Sequence, residues 1–226
     1  MGGYLGLLLA CAVFIGSHFL MSHPLRAPLV KAFGLNGFLG VYSLVSLASF
    51  IWMIFAFRAA PSDAPLWAAT DAVWIVASLL TLLAAIFYSG SMGGNPALPA
   101  PGAEKLAAQK PRGMFLVTRH PMMWSFALWG IAHMLVAPRP DSLIFVGSIV
   151  FLALVGAKAQ EGKKAASMGV AWQGWQARTS YWPRLSDLFS IGALPWIAGI
   201  VIWLAATWAH NYFGGYGAGI FRWFGA

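Results

Sequence analysis

Charge is what this sequence has least of. Six acidic and fourteen basic side chains are spread over 226 residues, so 9% of the chain is charged while 60% is hydrophobic, at a mean hydropathy of +0.73. A soluble domain carries charge on about 25% of its residues to cover its surface, which excludes a water-soluble globular fold here. Cysteine is almost missing too. The single Cys11 rules out an intrachain disulfide and a cysteine-cluster metal site, and no CxxCH context exists for covalent heme attachment. It reads as a small buried residue. The first apolar run lacks a basic n-region and a small-residue cleavage site, so it reads as a span rather than a cleaved signal peptide.

What the chain has instead is long apolar runs: Tyr4–Met21, Leu35–Phe57, Leu66–Tyr88, Met114–Ala137, Ser142–Ala157 and Ile191–Ala209. About 20 apolar residues cross a bilayer as a helix, and backbone groups in hydrocarbon must be satisfied within the element. The expectation is an all-α, polytopic membrane helix bundle with about six transmembrane helices, forming one domain over residues 1–226 without an internal repeat or linker.

The net charge of +8 is not a nucleic-acid footprint, because the basic residues alternate between exits. Arg26, Lys31, Lys105, Lys110, Arg112, Arg119, Lys158, Lys163, Lys164, Arg178 and Arg184 follow spans one, three and five, whereas only Arg58, Arg139 and Arg222 lie at the other exits. By the positive-inside rule the first set faces the cytoplasm, with both termini outside a cytoplasmic (inner) membrane. The partners implied are the lipid bilayer and a hydrophobic small molecule. Two inner loops are long. Residues 89–113 are rich in Gly and Pro, with one or two helical turns expected at AEKLAAQK. Residues 158–184 mix basic side chains with Trp172, Trp175, Tyr181 and Trp182, as a helix at the headgroup level would, either as an aromatic belt or as a lid over a cytoplasmic site. Span five reads as short, and Asp71 as a cap for span three.

Ionisable groups within spans are functional candidates, because lipid makes them costly. They are His18 in span one and Arg119, His120 and His133 in span four, whereas His23 and His210 read as interfacial. His120 precedes Pro121, a helix-start signature, which puts Arg119 and His120 at a polar mouth with free N–H groups suited to an anion. His133 lies about 140° around the helix from His120. Gly130, one turn before His133, lets a flat macrocycle or a neighbouring helix approach closely.

The stretch VTRHPMMWSFALWGIAHMLV resembles the central signature of the NnrU family of bacterial membrane proteins, as do GSHFLMSHPLR, GGNPALP and RTSYWPR. That family is homologous to the plant 15-cis-zeta-carotene isomerase and is associated with nitrite and nitric oxide metabolism in denitrifying bacteria. The resemblance implies an integral membrane protein with heme b, whose iron isomerises a cis double bond of a lipid-soluble polyene without net redox change. It puts the two heme histidines on His18 and His133. The isomerase's alternative cysteine ligand falls on Gly130, so no thiolate switch exists here. Arg26, Arg112 and Arg119 are the expected partners of the heme propionates.

Depth along the helices favours His120 over His133 as the partner of His18, since His133 lies about 18 Å beyond Pro121. The same signature also resembles isoprenylcysteine and phospholipid methyltransferases, whose motif helps bind S-adenosylmethionine. His120–Pro121, Glu161 and Tyr181–Pro183 are the positions concerned, although tyrosine is replaced by Met-Met-Trp and the paired acids are reduced to Glu161. The likeness implies a distantly shared fold, with S-adenosylmethionine as the alternative cofactor.

The charge asymmetry makes a direct prediction. Reporter fusions after Ala60 and after Lys110 will report opposite sides, the latter cytoplasmic. A fusion after Lys110 that reports the outer side contradicts the assigned topology.

Overall fold

The computed structural model describes residues 3–98 and 102–224. Helices α1 (Leu5–Ser22), α2 (Arg26–Ala59), α3 (Asp71–Gly90), α5 (Pro121–Val136), α6 (Pro140–Met168) and α8 (Ala193–Phe213) cross the molecule, and no strand occurs among the described residues. Five of the six are long and apolar enough to cross a membrane, and α5 is a shorter apolar helix of 16 residues. Three small helices complete the chain: α4 (Ala103–Ala108), α7 (Val170–Arg178) and α9 (Phe221–Phe224). The protein is an all-α, multi-pass bundle. Its outer surface is apolar where a soluble protein would be charged: Leu44 is 68% and Leu79 61% exposed, which lipid tails would cover.

Spans four and five exchange the lengths expected of them. Residues 113–116 form a 3₁₀ turn, the chain then extends to His120, and α5 starts only at Pro121. Proline supplies the fixed φ of a first helical position and needs no N–H there. By contrast α6 does not stop where its apolar run ends at Ala157 but continues 11 residues to Met168. The cap of α3 is Thr70, whose side chain accepts from the N–H of Val73. Asp71 sits in the first turn and pairs with Arg222 instead. Gly34 breaks α2 with φ +69°, so the span proper runs from Leu35, as expected.

The eleven basic residues gather at the end where α1, α3 and α6 finish, here called the basic end. A small core builds a cap there, in which Trp172 and Trp175 of α7 pack with Phe115, Ala97 and Ala107. Both indoles are buried, Trp172 completely, which overturns the aromatic-belt expectation for these two rings. Only Trp182 behaves as a belt residue, at 67% exposure. Lys164 ties α6 to loop 89–113 by donating to the carbonyls of Pro96 (2.9 Å) and Leu98 (3.1 Å). Arg178 reaches the carbonyl of Ala107 (2.7 Å) at the end of α4, the helix expected from AEKLAAQK. Residues 99–101 of that loop lie outside the described residues.

The helices form two pairs on a common wall. α1 packs on α2 and α6, α8 packs on α3, α3 on α5, and α5 on α6. Glycines set two of these contacts. A Cβ on Gly199 of α8 would lie 2.6 Å from the Cα of Ile86 in α3, and one on Gly130 would lie 2.4 Å from Val150 Cγ2 in α6. Such backbone approach is how membrane helices gain packing contacts without a hydrophobic drive between them. Of the two possibilities at Gly130, the neighbour is a helix.

Candidate functional site

Where α1 and α2 diverge from α3 and α8, a partly enclosed cavity of about 720 Å³ opens, backed by α5 and α6. Cavities of about 300–1,000 Å³ are the usual size of small-molecule sites. Its walls are apolar and aromatic, including Phe14, Phe50, Trp74, Phe126, Trp129 and Trp203. Four imidazoles line it as well: His18, His23, His133 and His210. The two histidines assigned to heme by resemblance therefore share one cavity.

Each is oriented in the same way. Nδ1 of His18 contacts the carbonyl oxygen of Phe14 at 2.7 Å, and Nδ1 of His133 contacts that of Trp129 at 2.7 Å. A carbonyl only accepts, so Nδ1 carries the proton, and in the neutral ring the Nε2 lone pair remains for a metal or a ligand proton. Such anchoring fixes ring orientation and tautomer, as for metal-bound histidines generally. The rings lie in different surroundings. His18 packs edge-on to Phe14 and Tyr42, at 4.5 and 5.6 Å between centroids. His133 lies 4.3 Å from Trp129 and 6.2 Å from His210.

His210 is the residue that a reading by span ends overlooks. It belongs to a stripe, Trp203, Ala206, Thr207 and His210, spaced at three and four residues on α8, all of which line the cavity. That spacing was visible in the sequence, and it marks one helical face.

Arg119 and His120 do not face this cavity. They close on Glu161 of the α6 extension. Arg119 donates through Nε to Oε1 (2.8 Å) and through Nη2 to Oε2 (2.9 Å) of Glu161, and its Nη1 reaches the carbonyl of Thr179 (3.3 Å). His120 Nε2 bonds to Oε1, and Gln176 of α7 donates to Oε2. His120 is 2% exposed and Arg119 and Glu161 8% each. The polar mouth for an external anion is thus filled by the protein's own carboxylate. His120, the ligand suggested by depth, spends its Nε2 on Glu161, and Arg119 has no donor turned to the cavity. Arg26, another expected propionate partner, lies over the ring of Phe38 at 5.7 Å, at the start of α2.

The segment Thr179–Arg184 seals the cluster. The N–H of Arg119 donates to Ser180 (2.8 Å), that of Arg184 to Val117 (2.9 Å), and Thr118 Oγ1 to the Tyr181 carbonyl (2.8 Å). The Tyr181 ring stands 5.6 Å from His120, and its hydroxyl donates to the Leu154 carbonyl (2.7 Å). Burial and then the nearby charge of Glu161 push this phenol's pKa up, opposed by Arg119. It remains a neutral donor. The residues of the methyltransferase reading do meet: His120 bonds to Glu161, the Tyr181 ring stands beside His120, and the Tyr181 hydroxyl turns to Leu154. No group of three or more His, Cys, Asp or Glu that could hold a metal ion occurs among the described residues.

The family model described as NnrU protein matches residues 6–218. No curated protein and no solved structure matches the chain.

The buried cluster predicts a strongly non-additive mutant pair. Glu161→Ala leaves a buried guanidinium unpaired and should cost about 3–5 kcal/mol, read as a large drop in thermal midpoint in detergent. Joining it to Arg119→Met should recover much of that loss. Additive losses in the double variant would contradict a mutually compensating pair.

Proposed function

Because the chain belongs to the NnrU family, we propose that its intramembrane cavity is a heme b site, with His18 and His133 as iron ligands, and that the loaded protein isomerises a lipid-soluble polyene. One observation carries this reading: four histidines with Nδ1 tied to their own helices line a single apolar cavity of about 720 Å³, and His18 and His133, the pair the family resemblance assigns to heme, are among them.

The residues present fit the group. Neutral imidazole would be a good iron ligand, the aromatic walls suit a flat macrocycle, and the polar groups in the lining are few. When bound, heme supplies an iron able to act on the electrons of a conjugated double bond. The chain's part is to orient both imidazoles through Phe14 and Trp129, to exclude water with Trp74, Trp129 and Trp203, and to admit a lipophilic substrate from the bilayer side. Gly130 lies against Val150 in the wall, away from the cavity, so the position of the alternative thiolate ligand is outside the site. In this reading the basic end faces the cytoplasm of the inner membrane.

Protein purified from cells supplied with heme precursor should carry extractable b-type heme with a low-spin spectrum. His133→Ala and His18→Ala should each turn the iron high-spin or empty the site, while His120→Ala, at matched yield of folded protein, should leave the spectrum intact. High-spin conversion in His210→Ala, with His18→Ala silent, would move the second ligand to α8. Wild type without heme overturns the reading.

A further inference from the structure

The cavity is not uniformly apolar. At its basic end it is lined by Ser22, His23, Tyr88, Gln160 and Lys163. Lys163 is half-buried and makes no ion pair among the described residues. It is also one of a group of cations. Lys164, beside it, is bound to the carbonyls of Pro96 and Leu98, and the charge of Arg26 acts on both lysines.

No acid offsets this group. Asp63, Asp71 and Asp141 lie at the opposite end, on Tyr4, Arg222 and Arg139. Glu161 is used by Arg119, His120 and Gln176, Asp187 lies beside Arg184, and Glu104 is exposed on α4. None of the six carboxylates lines the cavity. A half-buried lysine in the wall of a largely apolar chamber, with further positive charge beside it, is favoured by an anion that completes it. Lys163 is the one lysine or arginine among the lining residues.

We propose that the cavity takes a ligand with an apolar body and a carboxylate head, and that Lys163, assisted by Gln160, receives the carboxylate at the basic end. The inference rests on the reading of the cavity as a ligand site and adds the ligand's polarity and direction. Two sources share this chemistry: the propionates of a heme, and the head of an acidic lipophile. In the first case Lys163 takes the place that Arg119 and Arg112 were expected to fill. Arg119 is closed on Glu161, and Arg112 lines a separate, smaller pocket with Gly93, Gly94 and Lys110. In the second case the head is held at the membrane surface while the tail runs past His18 toward Trp129 and His133.

The test compares acids with their esters. Full-length protein in nanodiscs is titrated with hemin and heme dimethyl ester, followed by the Soret band, and with cis-parinaric acid and its methyl ester, followed by fluorescence. Wild type, Lys163→Met and Lys163→Arg are measured. Lys163→Met should weaken binding of an acid about tenfold or more, as for loss of a charge-assisted hydrogen bond. It should leave that acid's ester unchanged, which also shows the variant to be folded, and Lys163→Arg should restore most of the affinity. A contrast confined to the heme pair identifies propionates, and one confined to the parinaric pair identifies an acidic lipophile; either supports the proposal. If wild type and Lys163→Met bind acid and ester alike, the proposal is overturned while the cavity reading stands. If wild type binds none of the four probes, both fall.

Discussion

The carboxylate of Glu161 is the point on which the basic end of this protein is built. It accepts from Arg119 and His120 at the start of α5 and from Gln176 on α7, and it stands on a helix that has left its apolar run behind. Three segments that share no local sequence are thereby held at one place. The pairing is nearly dry, and in such surroundings each partner is stable only because the other is present. That mutual dependence explains why α6 continues past Ala157: the extension carries Glu161 to Arg119 and Lys164 to the loop carbonyls. It then ends on Gly169, where φ of +51° turns the chain into α7.

Closing the basic end in this way leaves the middle of the bundle to other rules. Glycines draw α8 onto α3 and α6 onto α5, and those contacts leave α1 and α2 free to stand apart from the α3–α8 pair. The resulting chamber is lined by rings and small residues, so its walls are stiff and apolar. The few polar groups in it, four imidazoles and Lys163 among them, become its chemistry. The tight cluster and the open cavity are thus neighbouring solutions to one constraint, that polar groups at membrane depth need partners. Glu161 is satisfied by side chains, while the cavity's four imidazoles hold to backbone carbonyls of their own helices through Nδ1.

The sequence made the bundle legible because lipid imposes length and hydropathy directly on the chain, and the charge alternation orders its crossings. His133 and His18 were legible as ionisable groups inside apolar runs, and the start of α5 at Pro121 was legible from proline's fixed φ. Three things were not. The pairing of Arg119 and His120 with Glu161 joins residues about forty apart; the methyltransferase resemblance groups His120 with Glu161, but as a cofactor site, and no local pattern announces a closed ion pair. Trp172 and Trp175 have the composition of a membrane belt, yet they pack inward, because the cap formed by α4 and α7 gives them a core. His210 was read by its distance from a helix end rather than by the face it occupies, and the face decides what a side chain meets.

The central claim is that the chamber between the two helix pairs holds a small molecule, and native mass spectrometry of the intact protein tests it without prior choice of ligand. Gly156 lines the cavity, and a Cβ there meets only Leu152 of its own helix, at 3.7 Å, so Gly156→Trp should put an indole into the chamber and take up part of the space a ligand needs. Wild type released gently from detergent should carry a discrete non-covalent mass increment, which the variant of equal thermal midpoint should lack. A bare wild-type chain, or the same increment in both proteins, would contradict the account.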